Sequence, residues 1–292
     1  MKRTQRMEQT RWDLALRYRL IETVVWWEGR LTTNHLMQSF GISRQQASKD
    51  INTYITDYAS KNLVYDKHIK GYVPTKQFRP LFIDDSASAY LDLLNQNNER
   101  APHIEGLALA YAHTAVLKVP DRSVKPEVLR PLLKACREKR RLDIEYVSFN
   151  TPELEGRTIA PHTLVYTGMR WHVRAYCEKN GKYRDFVLSR FRGEPELRDE
   201  FTEDGIERDE EWNTQIDVIF KPDERLNPAQ RAIMEVDYGM TDGQLVVRTP
   251  QALVKYVVQR FQINPNINDP KPEAQQLVLA NRAQLRPWLY MD

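Results

Sequence analysis

The stretch LTTNHLMQSFGISRQQASKDINTY, Leu31 to Tyr54, reads as two short helices joined by a tight turn at Gly41. Thr32 or Thr33 can cap a first helix whose apolar positions Leu36, Met37 and Phe40 share one side, and Gly41 then supplies the left-handed residue that ends it. Ser43 followed three residues later by Gln46 fits a capping box and opens the second helix. On that helix Ala47, Ile51, Tyr54, Ile55 and Tyr58 recur at the three- and four-residue spacing of a buried face. Arg44, Gln45, Ser48, Lys49 and Asn52 fall on the other side, a short, polar and basic surface. Such side chains at the start of a second helix suit the reading of base edges in a major groove, where Arg bonds guanine and Gln or Asn bonds adenine.

Two packed helices of any small bundle would show the same spacing, and the flanking segments favour the more specific reading. LVYDKHIKGYVPT, Leu63 to Thr75, holds two β-rich runs around a tip of Asp66, Lys67, His68, Ile69 and Lys70, which predicts a hairpin wing. Ahead of the motif, Trp12, Leu16, Leu20, Val24 and Trp27 form a helical stripe ending near Gly29, the third helix that a winged helix needs. The candidate DNA contacts are Ser43, Arg44, Gln45, Ser48, Lys49 and Asn52 on the second helix, Lys67, His68 and Lys70 on the wing, and Arg11.

Charge follows the same division. Residues 1–80 hold fourteen Lys or Arg against seven Asp or Glu, a net of +7, whereas the 292-residue chain carries only +3. Residues 81–133 come to −2, residues 134–198 to +5 and residues 199–292 to −7. A basic head and an acidic tail are expected where one end meets a polyanion and the other does not. Apolar content of 41% with 28% charged residues indicates a globular chain long enough for two or three domains. No segment has the roughly 18 uninterrupted apolar residues of a membrane span, and the start MKRTQRMEQTRW lacks a signal-peptide core, so a cytoplasmic location without membrane contact is expected. Cys136 and Cys177 imply no disulfide framework.

After the wing, Ala87, Tyr90, Leu91 and Leu94 have helical spacing, Asn95 to Gly106 reads as a connection, and Leu107 to Val119 as a second helix. A third helix over Lys125 to Arg141 has Pro126 in its first turn and Val128, Leu129, Leu132, Leu133 and Cys136 inward. From Leu142 the period changes to that of strands, with an Asn-Gly hairpin signal in EKNGK. On the strand Arg170 to Cys177, Trp171, Val173, Ala175 and Cys177 share one face, which predicts Trp171 in the core; Arg170, His172, Arg174 and Tyr176 share the other. A solvated face would accept Lys, Glu and Thr there; the row of Arg, His, Arg and Tyr also offers the donors and stacking planes that a phosphate or nucleotide requires. From Trp212 onward, TQIDVIFKP and QLVVRTP read as strands, NPAQRAIMEV as a helix capped by Asn227, and QALVKYVVQRFQI as a helix aligning Leu253, Val257 and Phe261.

The run GMRWHVRAYCEKNGKYRDFVLSRF, with Arg157, Ala160, Pro161, His162 and Leu164 upstream, resembles the WYL domain, an SH3-like β-barrel named for a Trp-Tyr-Leu triplet that here is Trp171-His172-Val173. The order of modules resembles that of the BrxR- and CapW-like regulators beside phage-defence operons of the BREX and CBASS types. The resemblance implies an α+β chain of four parts: a winged helix-turn-helix domain at 1–80, a helical linker and dimerisation segment at 81–133, a WYL ligand-sensing domain at 134–200 and a WCX-like C-terminal domain at 201–292. It further implies a homodimeric repressor that binds an inverted-repeat DNA operator and answers to a nucleotide or oligonucleotide effector. The pocket carried over comprises Tyr146, Ser148, His162, His172, Arg174, Tyr176 and Arg190, with the two arginines pairing with phosphate, the histidines donating or sensing protons, and a tyrosine stacking on a base.

An enzyme finds little support in the residues. There is no Gly-rich phosphate loop, HExxH, CxxC or Gly-x-Ser-x-Gly elbow, and the six histidines lie singly, so neither catalytic residues nor a metal or cofactor are expected. An RNA- or single-strand-binding module is the remaining alternative, since it would use the same basic face.

Overall fold

The computed structural model describes residues 11–84, 86–87, 89–92, 94, 124–150, 152–265 and 269–289. The expected helix Leu107 to Val119, and the arginines and lysine near the start other than Arg11, lie outside the described residues. The chain divides into two compact units, Met1–Val119 and Pro120–Asp292.

In the first unit, helix α1 (Trp12–Thr23) continues through a wide π-turn over Val24–Glu28 and ends at Gly29, whose φ of 74° is left-handed. Tyr18, Leu20, Ile21, Val24 and Val25 are its buried residues in the apolar core, and Trp12 is exposed, so the buried stripe is rotated from the one expected. Arg17, on the same helix, turns toward α3 to meet a buried carboxylate. Helix α2 (Thr33–Phe40) starts at Thr32 and stops at Gly41, with φ of 61°. Helix α3 (Arg44–Thr53), continued by a π-turn over Tyr54–Tyr58, buries Ala47, Ile51 and Tyr54 beneath α1 and α2. Removing the Ile51 side chain fully from water contributes about 1.5–3 kcal/mol.

Strands β1 (Leu63–Asp66) and β2 (Gly71–Pro74) form the wing, in register from Leu63 opposite Pro74 to Asp66 opposite Gly71. Leu31 and Tyr72 exchange both backbone hydrogen bonds, each 2.8 Å, which attaches the hairpin to the residue just before α2. A Cβ on residue 71 would lie 2.9 Å from Arg30 Cγ and 3.0 Å from the Leu31 carbonyl oxygen, so that close approach requires glycine. Beyond the wing, residues 87, 89–92 and 94 are helical.

The second unit opens with helix α4 (Pro126–Glu138), whose Val128, Leu132 and Ala135 are buried against the sheet that follows. That helix therefore shares the barrel's core, although it begins inside the segment read from sequence as linker. The barrel's bent antiparallel sheet runs in the order β6-β5-β4-β3-β7, from β3 (Arg140–Tyr146), β4 (Glu155–Tyr166), β5 (Trp171–Cys177), β6 (Lys182–Val187) and β7 (Phe191–Phe201). Register shifts between Pro161 and Thr163 and between Asp143 and Glu145 bend it. Gly181, with φ of 61°, makes the Asn-Gly turn between β5 and β6. Ile144, Ile159, Val173, Ala175, Cys177 and Phe186 fill the inner face.

A single turn, α5 (Glu210–Asn213), leads into a three-stranded antiparallel sheet ordered β10-β8-β9, from β8 (Gln215–Pro222), β9 (Leu245–Pro250) and β10 (Leu277–Leu279). Helices α6 (Pro228–Asp237), α7 (Val254–Arg260) and α8 (Arg282–Leu289) accompany it. The core there comprises Val218, Phe220, Leu226, Met234, Val254, Val258 and Leu285. On α7 it is Val254 and Val258 that face inward, with Val257 and Phe261 at the margin. Neither β10 nor α8 was expected from the sequence: β10 is only three residues long, and α8 carries a proline, Pro287, inside its eight residues.

Candidate functional site

The second helix of the head is specified by its cap and by a buried carboxylate. Ser43 Oγ accepts from the Gln46 backbone N–H at 3.2 Å, but the Gln46 amide does not close the box; it donates forward to Asp50 Oδ1 at 2.7 Å. Asp50 is buried, and its other oxygen lies 2.6 Å from Arg17 Nη1, so α1 and α3 are held together by a charged hydrogen bond away from water. A reciprocal cap does occur on α2, where the Thr32 N–H donates to His35 Nδ1 at 3.0 Å. Tyr54, at the far end of α3, donates to buried Glu22 at 2.7 Å, and the backbone N–H groups of Leu81, Phe82 and Ile83 converge on the same carboxylate at 2.7 to 3.2 Å. Burial raises the Glu22 pKa, while Tyr54 and those N–H groups pull it back.

What this framework presents is one outward face. Ser43, Arg44, Gln45, Lys49 and Asn52 are exposed, Ser48 is half-buried, and Arg44, Gln45, Ser48, Lys49 and Asn52 line a single shallow concavity together with Thr53 and Thr56. Thr53 and Thr56 are the contributions that sequence spacing did not single out. On the wing, Lys67, His68 and Lys70 are exposed at the tip, where Asp66 Oδ1 accepts from the His68 N–H at 2.8 Å and fixes the turn. Arg30 Nε donates to the Ile69 carbonyl at 2.8 Å and ties the tip to the base of α2. Arg11 is exposed beside Asp13, at 3.3 Å.

The second unit holds a cavity of about 510 Å³, within the size range of small-molecule sites. Of the residues expected in a sensor pocket, Tyr146, Ser148, His172 and Arg190 line it. Tyr146 Oη accepts from the Val187 N–H at 3.0 Å, and the Arg190 guanidinium stands 6.0 Å from the Phe149 ring, a cation–π pair at the mouth. His172 forms the floor: it is buried, its ring lies 5.1 Å from that of Tyr256, and its Nδ1 has no hydrogen-bond partner within the protein. Burial, then the charges of Arg170, Arg190 and Lys255, push its pKa down to about 4, so at neutral pH it is an uncharged imidazole among cations.

Arg174, His162 and Tyr176 do not line this cavity. Arg174 is wholly buried: its Nε and Nη2 reach Asp209 at 2.7 and 3.1 Å, Nη2 also reaches Glu211 at 2.9 Å, and Nη1 faces Asp185 at 3.6 Å. With its donors turned to three carboxylates it is not placed as a phosphate ligand. His162 Nε2 meets Asp209 at 3.2 Å, and Tyr176 packs edge-on against Tyr183 at 5.3 Å. Although burial opposes its ionisation, hydrogen bonds from His162 and Arg174 hold Asp209 down to about 2. Trp171 also departs from expectation: at the first position of β5 it is 49% exposed and leans on Tyr166 at 5.0 Å, while Val173, Ala175 and Cys177 on the same face are buried in the core.

Arg170, which alternation placed on the same strand face as His172, also lines the cavity. Most of the remaining lining was not legible from spacing: Lys182, Arg184 and Lys255 add positive charge against Asp185 and Glu211. Lys255, Tyr256 and Pro287 come from α7 and α8, far downstream of the barrel. Among the described residues no group of three His, Cys, Asp or Glu could hold a metal ion, and no helix is long and apolar enough to cross a membrane.

A winged helix with a basic outward face, followed by a separate small barrel, defines a regulator of the winged-helix, DNA-binding kind. The profile of the BrxR transcriptional regulator winged helix-turn-helix domain matches residues 13–96, that of the WYL domain residues 127–193, and that of the BrxR transcriptional regulator C-terminal dimerization domain residues 215–285. The DNA-binding transcriptional repressor CapW of Escherichia coli (strain KTE188) is 36% identical over 279 residues, covering 94% of this chain and 91% of the relative. CapW of Pseudomonas aeruginosa is 34% identical over 278 residues, covering 94% and 92%. CapW of Stenotrophomonas maltophilia is 30% identical over 287 residues, covering 97% and 95%. The chain belongs to the BrxR and CapW family of WYL-domain transcriptional regulators.

Proposed function

We propose that this protein is a homodimeric, sequence-specific DNA-binding repressor that occupies an inverted-repeat operator of a phage-defence operon in the cytoplasm and releases it when an anionic nucleotide or oligonucleotide enters the barrel pocket. The observation that carries the DNA reading is the face of Arg44, Gln45, Ser48, Lys49 and Asn52, held outward by the Arg17–Asp50 pair beneath it. Short polar and basic side chains at the start of such a helix match the donor and acceptor pattern of the major groove, and Lys67 and Lys70 on the wing suit the phosphate backbone. The effector reading draws on the cationic pocket and on the unpartnered Nδ1 of His172, which an anion's hydroxyl or amide could satisfy. Control of a defence operon rests on the family resemblance alone.

The test is a gel-shift series with the promoter fragment upstream of the gene, single strands and RNA as competitors. Retention of duplex over both competitors, with a two-fold symmetric footprint, is expected. Equal or better retention of RNA would replace the operator reading with an RNA-binding one. Release of the bound duplex is then screened with mononucleotides, cyclic nucleotides and short single strands.

A further inference from the structure

Helix α6 is built the wrong way round for a helix that serves only its own domain. A capping box starts it, Asn227 and Gln230 exchanging two hydrogen bonds of 2.9 Å, and ten residues follow at about 100° per residue. Met234 is its only buried residue, and on the side nearly opposite lie Ala229, Ala232, Ile233 and Val236, spaced i, i+3, i+4 and i+7 and all exposed. Ile233 is 59% and Val236 81% exposed, so the aliphatic stripe that would ordinarily face a core faces outward.

Charge says what kind of surface this is. Residues 199–292 carry a net of −7, so two copies of this domain repel over most of their surface, and an isologous contact places like charge against like. The stripe carries no charge. The two alanines also allow backbones to come close, and Ile233 and Val236 supply bulk to fill the groove beside them. The helix lies inside the segment matched by the C-terminal dimerization profile.

We propose that the outer face of α6 is the contact between two copies of this chain, with each helix packing on its counterpart across a two-fold axis near Ala232 and Ile233. This rests on the homodimer reading given above, and it adds which surface makes the dimer. Because the axis passes close to these positions, each meets its own copy.

The experiment uses the full chain in sedimentation at micromolar concentration. Wild type should run as a dimer, and Ile233→Glu, placing two carboxylates face to face, should weaken the dimer at least tenfold without lowering the melting temperature. Mixing I233E with an I233K protein should restore association, since opposite charges then meet. A separate Ala232→Cys protein should form a disulfide-linked dimer under mild oxidation, beyond any formed by wild type with its Cys136 and Cys177. If wild type is dimeric and I233E associates as well as it does, or if A232C gives no added cross-link, the face is wrong while the homodimer stands. A monomeric wild type would remove the homodimer reading and this inference together. Should I233E melt early, the A232C cross-link alone decides.

Discussion

Tyr256 donates its phenolic hydrogen to Asp185 Oδ2 across 3.0 Å, so a helix of the C-terminal domain closes the floor of a pocket whose walls belong to the barrel. Burial raises the Asp185 pKa while Arg174 and Tyr256 oppose that rise, and Tyr256 itself is pushed up by burial and then by the Asp185 charge. Tyr256→Phe leaves a buried carboxylate oxygen without its donor and should cost about 1–3 kcal/mol in denaturant unfolding. Stability equal to wild type would mean that Asp185 is satisfied in another way.

Arg174 and Arg190 should separate cleanly when each is replaced by Ala. Arg174→Ala strands Asp209, Glu211 and Asp185 without their shared cation and should destabilise the second unit by about 3–5 kcal/mol. Arg190→Ala, at the mouth, should leave the melting temperature near wild type and weaken binding of a nucleotide probe, measured by calorimetry. Equal stability of the two variants would contradict the buried role assigned to Arg174.

His172 sets a pH dependence whose sign can be worked out. An unfolded histidine takes up its proton near pH 6.5, whereas His172 in the fold does so only at about 4. Its contribution is therefore complete above about 6.5 and is lost as pH falls toward 4, by about 3 kcal/mol over that window. Burial is the main cause of this depression, and an anion bound beside Arg170, Arg190 and Lys255 relieves the part that their charges add, so anion affinity should rise as pH falls from about 6 toward 4. Calorimetry in two buffers checks the accompanying proton uptake, and His172→Gln should flatten both effects.

In the head, Arg44→Ala should cost about 1–3 kcal/mol of operator affinity and relax preference at one base pair per half-site. Lys67→Ala on the wing should weaken all duplexes alike and reduce the log-log salt slope by about 0.9 for the one phosphate it leaves. A binding-site selection with unchanged preference for the Arg44 variant would displace that side chain from the base edges.

The head was legible because its signals are local: Gly41, the Ser43 cap and the Ala47–Ile51–Tyr54 spacing lie within fourteen residues, and each maps onto one helix end or one helix face. The wing followed from the short runs on either side of Asp66 to Lys70. The pocket was only partly legible because strand alternation gives which residues share a face, not what covers that face. His172 and Arg174 do share one, yet Asp209 and Glu211, thirty-five and thirty-seven residues beyond Arg174, close over it and leave Arg170 and His172 as the members of that row on the cavity. Alternation likewise assigned Trp171 to the core with Val173, but at the first position of β5 it has no sheet to lie beneath. Lys255 and Tyr256 belong to a helix whose own period concerns a different core.

The Leu31–Tyr72 bridge and the glycine it demands at position 71 gear the wing to the reading helix through the few residues of α2 and its turn. In the DNA complex proposed above, major-groove and flanking contacts would then be set at a fixed spacing, like the jaws of a caliper that cannot be adjusted one at a time. A duplex whose groove width departs from that setting would be penalised at base pairs that no side chain touches, and a larger residue at position 71 should change which sequences fit without altering a single contact to a base.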